Sequence, residues 1–164
     1  MDVTIKNIPP KLDEFIALRA NVGWGDTPAC LAQSALNNSI FHVIARRNEE
    51  LVGMARIVGD GAMFFYIQDL IVSPEYQHKG IGDLLMQSIE CYLSKAATNG
   101  ATVGLFSAAG KEAFYARYGY KLRNGAPLGF GMCKFMWTMS LQWRFYSRRG
   151  NIGKPVGLDK KLTN

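Results

Sequence analysis

The chain has 164 residues, of which 48% are hydrophobic and 20% are charged. These values are typical of a globular protein, and the length predicts one domain with its own core. No apolar run reaches the roughly 18 residues that a membrane span needs, and the first residues do not resemble a signal peptide. The three cysteines have no CxxC spacing, so we expect buried thiols in a reducing, cytoplasmic compartment and no metal site.

The positive charge lies mainly at the end of the chain. The net charge of the whole chain is +6, but residues 1–142 carry 13 Lys and Arg against 12 Asp and Glu. We therefore predict a domain over residues 1–145 and a basic tail over residues 146–164. A basic tail can contact nucleic acid or another anion. We favour a solvated extension and expect no nucleic-acid or membrane partner.

The chain pattern predicts two helices, three antiparallel strands, and then a helix, a strand, a helix and one or two strands. Pro9-Pro10 opens a first helix, and Thr27 is predicted to cap a second helix that runs to about Ser39. A hairpin follows and leads into a long apolar strand. The later elements are a long amphipathic helix, a buried strand, a short helix and an alternating strand. The predicted ranges after the second helix are 41–47, 51–58, 62–72, 80–97, 101–106, 111–118 and 137–144. This order is typical of an α/β fold with a mixed sheet and helices on both faces.

A glycine-bearing loop joins the long apolar strand to the long helix. Its sequence is Gln77-His78-Lys79-Gly80-Ile81-Gly82. Free backbone N–H groups and the positive end of a helix meet at such a point and favour bound phosphate. The loop lacks the Lys-Ser/Thr of a P-loop, and Leu85 stands where a dinucleotide fingerprint has its third glycine. A phosphorylated cofactor of another kind is therefore indicated.

Two motifs together resemble the GNAT acyltransferase superfamily. The loop fits the family's [Q/R]-x-x-G-x-[G/A] signature, and residues 114–120 fit its Phe-Tyr-x-x-x-Gly-[Phe/Tyr] run. The segment 70–76 fits the strand before the signature, and order and spacing agree over about residues 1–140. The resemblance implies the GNAT fold, a mixed central sheet that splays between its fourth and fifth strands, here 62–72 and 101–106.

The resemblance also implies acetyl-CoA as the cofactor, held in that opening. Backbone N–H groups after the strand would hold the pyrophosphate, and the strand edge would pair with the pantetheine arm. By this resemblance the cofactor-binding residues are Leu70, Ile71, Val72, Gln77, His78, Lys79, Gly80, Ile81, Gly82, Asp83 and Tyr115. Gly80 and Gly82 are expected because a Cβ would block the phosphates or strain the turn.

The implied reaction is attack of an amine on a thioester. Tyr115 is the expected general acid, a role carried over from the family motif, and packing beside the cofactor is its alternative role. The general base stays open. Asp69 qualifies only if a bulge brings it to the face of Gln68, and a water held by Gln68 or Tyr66 is the alternative. Cys133 or Cys91 as an acyl-carrying nucleophile is a minor alternative.

The acceptor pocket is expected from the loop between the first two helices and from the last strands. We expect Trp24, Asp26, Tyr66 and Phe130 to contact the substrate. Aromatic walls with a carboxylate suit a small primary amine, such as an arylalkylamine. Two alternatives stay open: acetylation of a protein or peptide, and a non-catalytic regulator that binds acyl-CoA. We also expect a homodimer, since dimers are common among GNAT proteins.

Overall fold

The computed structural model describes residues 2–126 and 129–133. From the first helix to α4 the elements follow the expected order, and one short strand precedes them. In chain order they are β1 Thr4–Lys6, α1 Leu12–Asn21, α2 Ala29–Asn37, β2 Phe41–Arg47, β3 Glu50–Gly59, β4 Phe64–Val72, a 3-10 turn Pro74–Tyr76, α3 Ile81–Ala96, β5 Thr102–Leu105 and α4 Glu112–Ala116. The residues form two compact units, one that ends at Lys121 and one that begins at Leu122.

The five strands form one mixed sheet in the order β1-β2-β3-β4-β5. The first three pairings are antiparallel, and β4 pairs with β5 in parallel. The parallel register runs only from Phe64 opposite Thr102 to Ile67 opposite Leu105. Within the described part of the chain, the second half of β4 therefore pairs with β3 on one side and with no strand on the other, which agrees with the expected GNAT fold and its splayed sheet.

Side chains of alternate residues build a separate core on each face of the sheet. On one face α3 packs through Ile81, Leu85 and Ile89 against strand residues such as Val43. On the other face α1 and α2 pack through Phe15 and Leu36, with their neighbours, against β2 to β4. The period of 3.6 in α3 and the period of 2 in the strands thus produce helices on both faces, as predicted.

Several sequence-based details differ from the structure. Strand β1 was missed, because three residues with little burial give no periodic signal. Pro28, not Thr27, is the N-cap residue of α2, and the Thr27 hydroxyl accepts a hydrogen bond from Arg19 Nε at 3.2 Å. The thiols of Cys30, Cys91 and Cys133 are exposed, so their expected burial was wrong; Cys30 and Cys91 lie on solvent-facing sides of helices.

Two predictions fall on residues beyond the described part of the chain. The strand expected over residues 137–144 lies outside it, and so does the expected domain boundary at residue 145. Among the residues that the structure describes, none of the helices combines the length and the apolar character required to cross a bilayer.

Candidate functional site

The loop between β4 and α3 presents a row of free donors. Within residues 2–126, the backbone N–H groups of residues 78–82 donate to no acceptor. The N–H of Asp83, which was also expected to bind the cofactor, instead donates to the Gly80 carbonyl at 3.1 Å and is used within the turn. His78 and Gly80 both have positive φ, 59° and 80°. In a turn of this kind, successive N–H groups point in the same direction and form a concave surface at the start of a helix that suits an anion.

The two glycines of the loop meet different requirements. Gly80 has no atom within 4 Å of the place of a Cβ, so its left-handed backbone is what favours glycine. A Cβ on Gly82 would lie 3.4 Å from the Phe114 ring, which is ordinary contact. The left-handed backbone therefore explains Gly80, whereas the surroundings of Gly82 leave room for a Cβ.

Charges beside the loop are balanced. The Asp83 carboxylate in the first turn of α3 accepts hydrogen bonds from Arg117 Nη2 at 2.8 Å and from the Tyr118 hydroxyl at 2.6 Å. Burial, and then this bond to Asp83, raises the pKa of Tyr118 to about 12. Lys79 Nζ donates to the Glu75 carbonyl at 2.7 Å. The one carboxylate in the first turn of α3 is thus paired, so it would not repel an anion bound at the N-terminus of this helix.

The open edge of β4 lies directly before this loop. After Ile67 the strand has no register with β5, so among the described residues no strand pairs with this edge of residues 68–72. The Val72 carbonyl already accepts a hydrogen bond from Gln77 Nε2 at 3.0 Å, which fixes the start of the loop against the strand end. An extended ligand arm can add to such an edge as a further strand.

Tyr115 lies on α4 among other aromatic rings. Its ring is 5.1 Å from that of Phe114 and 6.4 Å from that of Tyr120, both edge to face. Burial raises the pKa of Tyr115 above its usual value, and the Tyr66 phenol raises it further. The Tyr115 hydroxyl therefore carries a proton at neutral pH.

A β-bulge at Asp69 changes which face the β4 side chains occupy. Arg56 pairs with Gln68 and Met54 with Ile71, so Ala55 stands opposite two residues of β4. Asp69 has a φ of 52°. The bulge thereby brings the side chains of Gln68 and Asp69 to the same face, the one covered by α1 and α2.

Asp69 is the centre of a buried ion cluster. One carboxylate oxygen accepts from Arg19 Nη1 on α1, and the other accepts from Arg56 Nε on β3 at 2.5 Å. The Asp69 side chain is 0% exposed, and those of Arg19 and Arg56 are 20% and 10% exposed. Gln68 Nε2 lies 3.3 Å from the first oxygen. Both oxygens are thus occupied by guanidinium groups, which disfavours proton abstraction by this carboxylate.

A cavity of about 240 Å³ opens over this cluster, between the two helices and the bulge. Its walls combine apolar side chains with two cations, a hydroxyl and an amide: Phe15, Leu31, Ala35, Arg19, Arg56, Thr27 and Gln68. Of the predicted acceptor residues, Trp24 lies beside it, because its ring centroid is 5.3 Å from the Arg19 guanidinium carbon. Asp26 is exposed, and Tyr66 packs edge to face on Phe106 at 5.5 Å. Phe130 is 71% exposed and belongs to the second unit.

Sequence reasoning did not single out Arg19 and Arg56. A signal for Arg56 was present, because a single cation inside the apolar strand 51–58 must find a buried partner. Asp69 inside the next apolar strand is the matching anion. Pairing these two charges would have indicated the cluster, whereas nothing local distinguishes Arg19 from another exposed helix residue.

Comparisons with known proteins agree with this geometry. The pattern of the family described as "Acetyltransferase (GNAT) domain" matches residues 25–137. The chain is 31% identical over 119 residues to the "Uncharacterized N-acetyltransferase ycf52" of Pyropia yezoensis, a match covering 70% of this chain. That match spans 66% of the algal protein, just under two thirds of its length.

Two further proteins extend the comparison. The chain is 32% identical over 117 residues to the histone acetyltransferase TAP1 of Glycine max, covering 64% of this chain and 49% of that one. Among solved structures, the GNAT family protein SP0256 of Streptococcus pneumoniae superposes with a TM-score of 0.65 at 31% identity. This superposition covers 84% of this chain and 98% of the other.

Proposed function

Because the chain belongs to the GNAT acetyltransferase family, we propose that it transfers the acetyl group of acetyl-CoA to a small primary amine. The observation that carries this proposal is that a row of backbone donors lies next to a strand edge. The N–H groups of residues 78–82 at the start of α3 and the nearby edge of β4 after Ile67 both lack a backbone partner among the described residues. One site suits a diphosphate, and the other suits an extended amide-bearing arm.

The donor site would use backbone groups more than side chains. Residues 78–82 would bind the pyrophosphate, and the backbone of residues 70–72 would pair with the pantetheine arm. Acetyl-CoA supplies a thioester whose carbonyl carbon accepts the amine nitrogen while the sulfur leaves as a thiol. Residues 68–72 lie at the splay, so the amine would meet the thioester beside Gln68.

Tyr115 is our candidate for the proton donor to the departing sulfur. An ordinary phenol is already protonated at neutral pH, and burial raises the pKa of Tyr115 further, so its hydroxyl carries a proton there. A phenol in this state can give a proton to a thiolate and recover one from solvent.

We propose that a water molecule, and not Asp69, accepts the proton that leaves the amine. Both Asp69 oxygens accept from guanidinium groups, so this carboxylate positions Arg19 and Arg56 rather than acting as a base. The side-chain carbonyl oxygen of Gln68, Oε1, has no donor among the described residues and is our candidate to hold that water or the amine. Much of the rate would then come from holding the two substrates together.

An amine panel tests the proposal. Thiol release from acetyl-CoA is measured with primary amines of different size, and binding of CoA is measured by calorimetry. We expect CoA binding and release that depends on the amine. Binding of CoA without release by any amine or peptide would contradict the transferase and favour the acyl-CoA-binding regulator.

A protein or peptide acceptor is the second candidate, favoured by the likeness to the relative named a histone acetyltransferase. Peptides with free N-termini or lysines therefore belong in the panel, and faster transfer to them than to any small amine would reverse the assignment. A homodimer stays our prediction and is tested by light scattering. The cytoplasm stays our prediction for the compartment, and fractionation of cells tests it.

A further inference from the structure

The cavity over the bulge contains unused cationic donors. Arg19 uses Nε for Thr27 and Nη1 for Asp69, and Arg56 uses Nε for Asp69 and Nη1 for Ser39 at 3.0 Å. Among the residues that the structure describes, neither Nη2 has an acceptor. Both side chains line the cavity; the Arg19 side chain is 20% exposed, and Arg56 is buried, with 10% of its side chain exposed. Two guanidinium edges are thus available to a ligand in the same small space.

The charges of the cluster do not cancel. Arg19 and Arg56 contribute two positive charges, and Asp69 contributes one negative charge. The described residues that line the cavity include no further acidic side chain. A single carboxylate would neutralise the remaining positive charge, whereas a phosphate, with up to two negative charges, would exceed it.

Arg19 is held in place before any ligand arrives. Its guanidinium carbon lies 5.6 Å from the Phe15 ring centroid and 5.3 Å from that of Trp24. Together with Asp69 and Thr27 these contacts fix the orientation of the planar group. A fixed guanidinium binds a carboxylate with little loss of side-chain entropy.

The same cavity offers an acceptor for an amine. Gln68 Nε2 faces Asp69, which leaves the Gln68 carbonyl oxygen without a donor among the described residues. Gln68 is also the first β4 residue beyond the pairing with β5, where the sheet splays. An anion-binding edge and an amine acceptor therefore lie in one cavity of about 240 Å³.

We propose that the acceptor is a small amino acid. Its carboxylate binds Arg19 and Arg56, and its amine binds the side-chain carbonyl oxygen of Gln68. The inference rests on the proposed acetyl transfer and narrows its acceptor. It favours amino acids over the arylalkylamines that the sequence suggested. The carboxylate would hold the amine at the splay, and the free amine would attack there.

Matched pairs of acceptors test the inference in the unmodified protein. Each amino acid is compared with its decarboxylated amine: glycine with methylamine, phenylalanine with phenethylamine, tryptophan with tryptamine. Rates are compared at equal concentrations of deprotonated amine. Charge-assisted hydrogen bonds predict a kcat/KM roughly 10- to 100-fold higher for at least one amino acid than for its partner.

Each other result of this comparison has a definite meaning. Equal or faster transfer to every decarboxylated amine would overturn the inference and leave the proposed function intact. A preference for glucosamine 6-phosphate over glucosamine, without transfer to amino acids, would overturn the carboxylate in favour of a phosphate. Transfer to peptides alone would overturn the amino acid as the acceptor.

Binding separates the inference from a failure of the proposed function. If no amine is acetylated, the proposed function fails, and calorimetry in the presence of CoA then decides about the cavity. Binding of an amino acid, but not of its decarboxylated partner, would support the carboxylate site without turnover. Equal binding, or none, would overturn it.

Variants locate the carboxylate site. Arg19→Gln should remove most of the preference for the amino acid, and Arg19→Lys should retain part of it, because a charge remains without the planar pair of donors. Arg47→Gln is the matched control, since this exposed arginine on β2 lies outside the cavity. The preference should survive there. Circular dichroism checks that each variant folds, and the acceptor pairs test the inference even if a variant does not.

Discussion

Replacing Asp69 by asparagine should destabilise the protein strongly, because it removes the only anion from a buried cluster of three charges. Asparagine has nearly the same size and tolerates the positive φ of 52° at this position, so the backbone of the bulge is retained. The change therefore isolates the charge. It leaves the Arg19 and Arg56 guanidinium groups facing each other across a neutral amide.

The expected loss follows from burial. Removing one partner of a buried ion pair costs about 3–5 kcal/mol. Arg19 is 20% exposed and Arg56 10%, so water can hydrate both in part, and the amide oxygen still accepts one hydrogen bond. We therefore expect a loss near the lower limit, about 3 kcal/mol in the free energy of unfolding. For a domain of this size that corresponds to a decrease in Tm of roughly 6–12 °C.

Urea denaturation followed by circular dichroism measures this loss. The matched control is Asp83→Asn, which removes the same charge from a pair with Arg117 in which the two side chains are 36% and 57% exposed. A surface pair of this kind contributes about 1 kcal/mol or less. A loss of under about 1 kcal/mol at Asp69, or equal losses at both sites, would refute the cluster as a source of stability.

Three further predictions concern the donor side of the site. Tyr115→Phe should lower kcat about 100-fold while the Kd of CoA stays within about twofold, since only the proton donor is lost; an unchanged kcat at saturation would remove Tyr115 from the mechanism. Gly80→Ala should cost about 1–2 kcal/mol of stability and weaken CoA binding, because φ is 80° there, whereas Gly82→Ala should be nearly neutral for stability. Denaturation measures stability and calorimetry measures CoA binding, and a larger loss for Gly82→Ala than for Gly80→Ala would contradict the prediction. Because the folded pKa of Tyr118 is about 12 and the unfolded value is about 10, its contribution to stability is complete below about pH 10 and is lost as the pH rises towards 12; a decline that persists unchanged in Tyr118→Phe would show another cause.

Local patterns predicted the elements that have a period. The apolar stripe of α3 and the apolar run of β4 each specify an element, because 3.6 and 2 are properties of the chain itself. The glycine loop was predicted equally well, since a left-handed backbone just before a helix favours glycine. Strand β1 gave no such signal, because its three residues join the sheet through pairing with β2.

The cap of α2 shows how a tertiary contact replaces a local rule. Thr27 is a suitable N-cap residue, but its hydroxyl accepts a hydrogen bond from Arg19 on the preceding helix. The helix therefore starts after Pro28 without a side-chain cap. A local preference of about 1 kcal/mol is easily exceeded when a guanidinium group needs an acceptor nearby.

The sequence by itself determined the two helical faces of the sheet, the glycine loop before α3 and the aromatic run around Tyr115, since each is encoded within a few neighbouring residues. It left the face of Asp69 open, because a bulge inverts the alternation of a strand and cannot be read from the alternation. Only the tertiary structure decided that Asp69 meets Arg19 and Arg56, which stand 50 and 13 residues away. Packing of α1 and α2 over the bulge removes these charges from water. A buried charge is costly without a partner of opposite sign, and the three side chains therefore pair with one another.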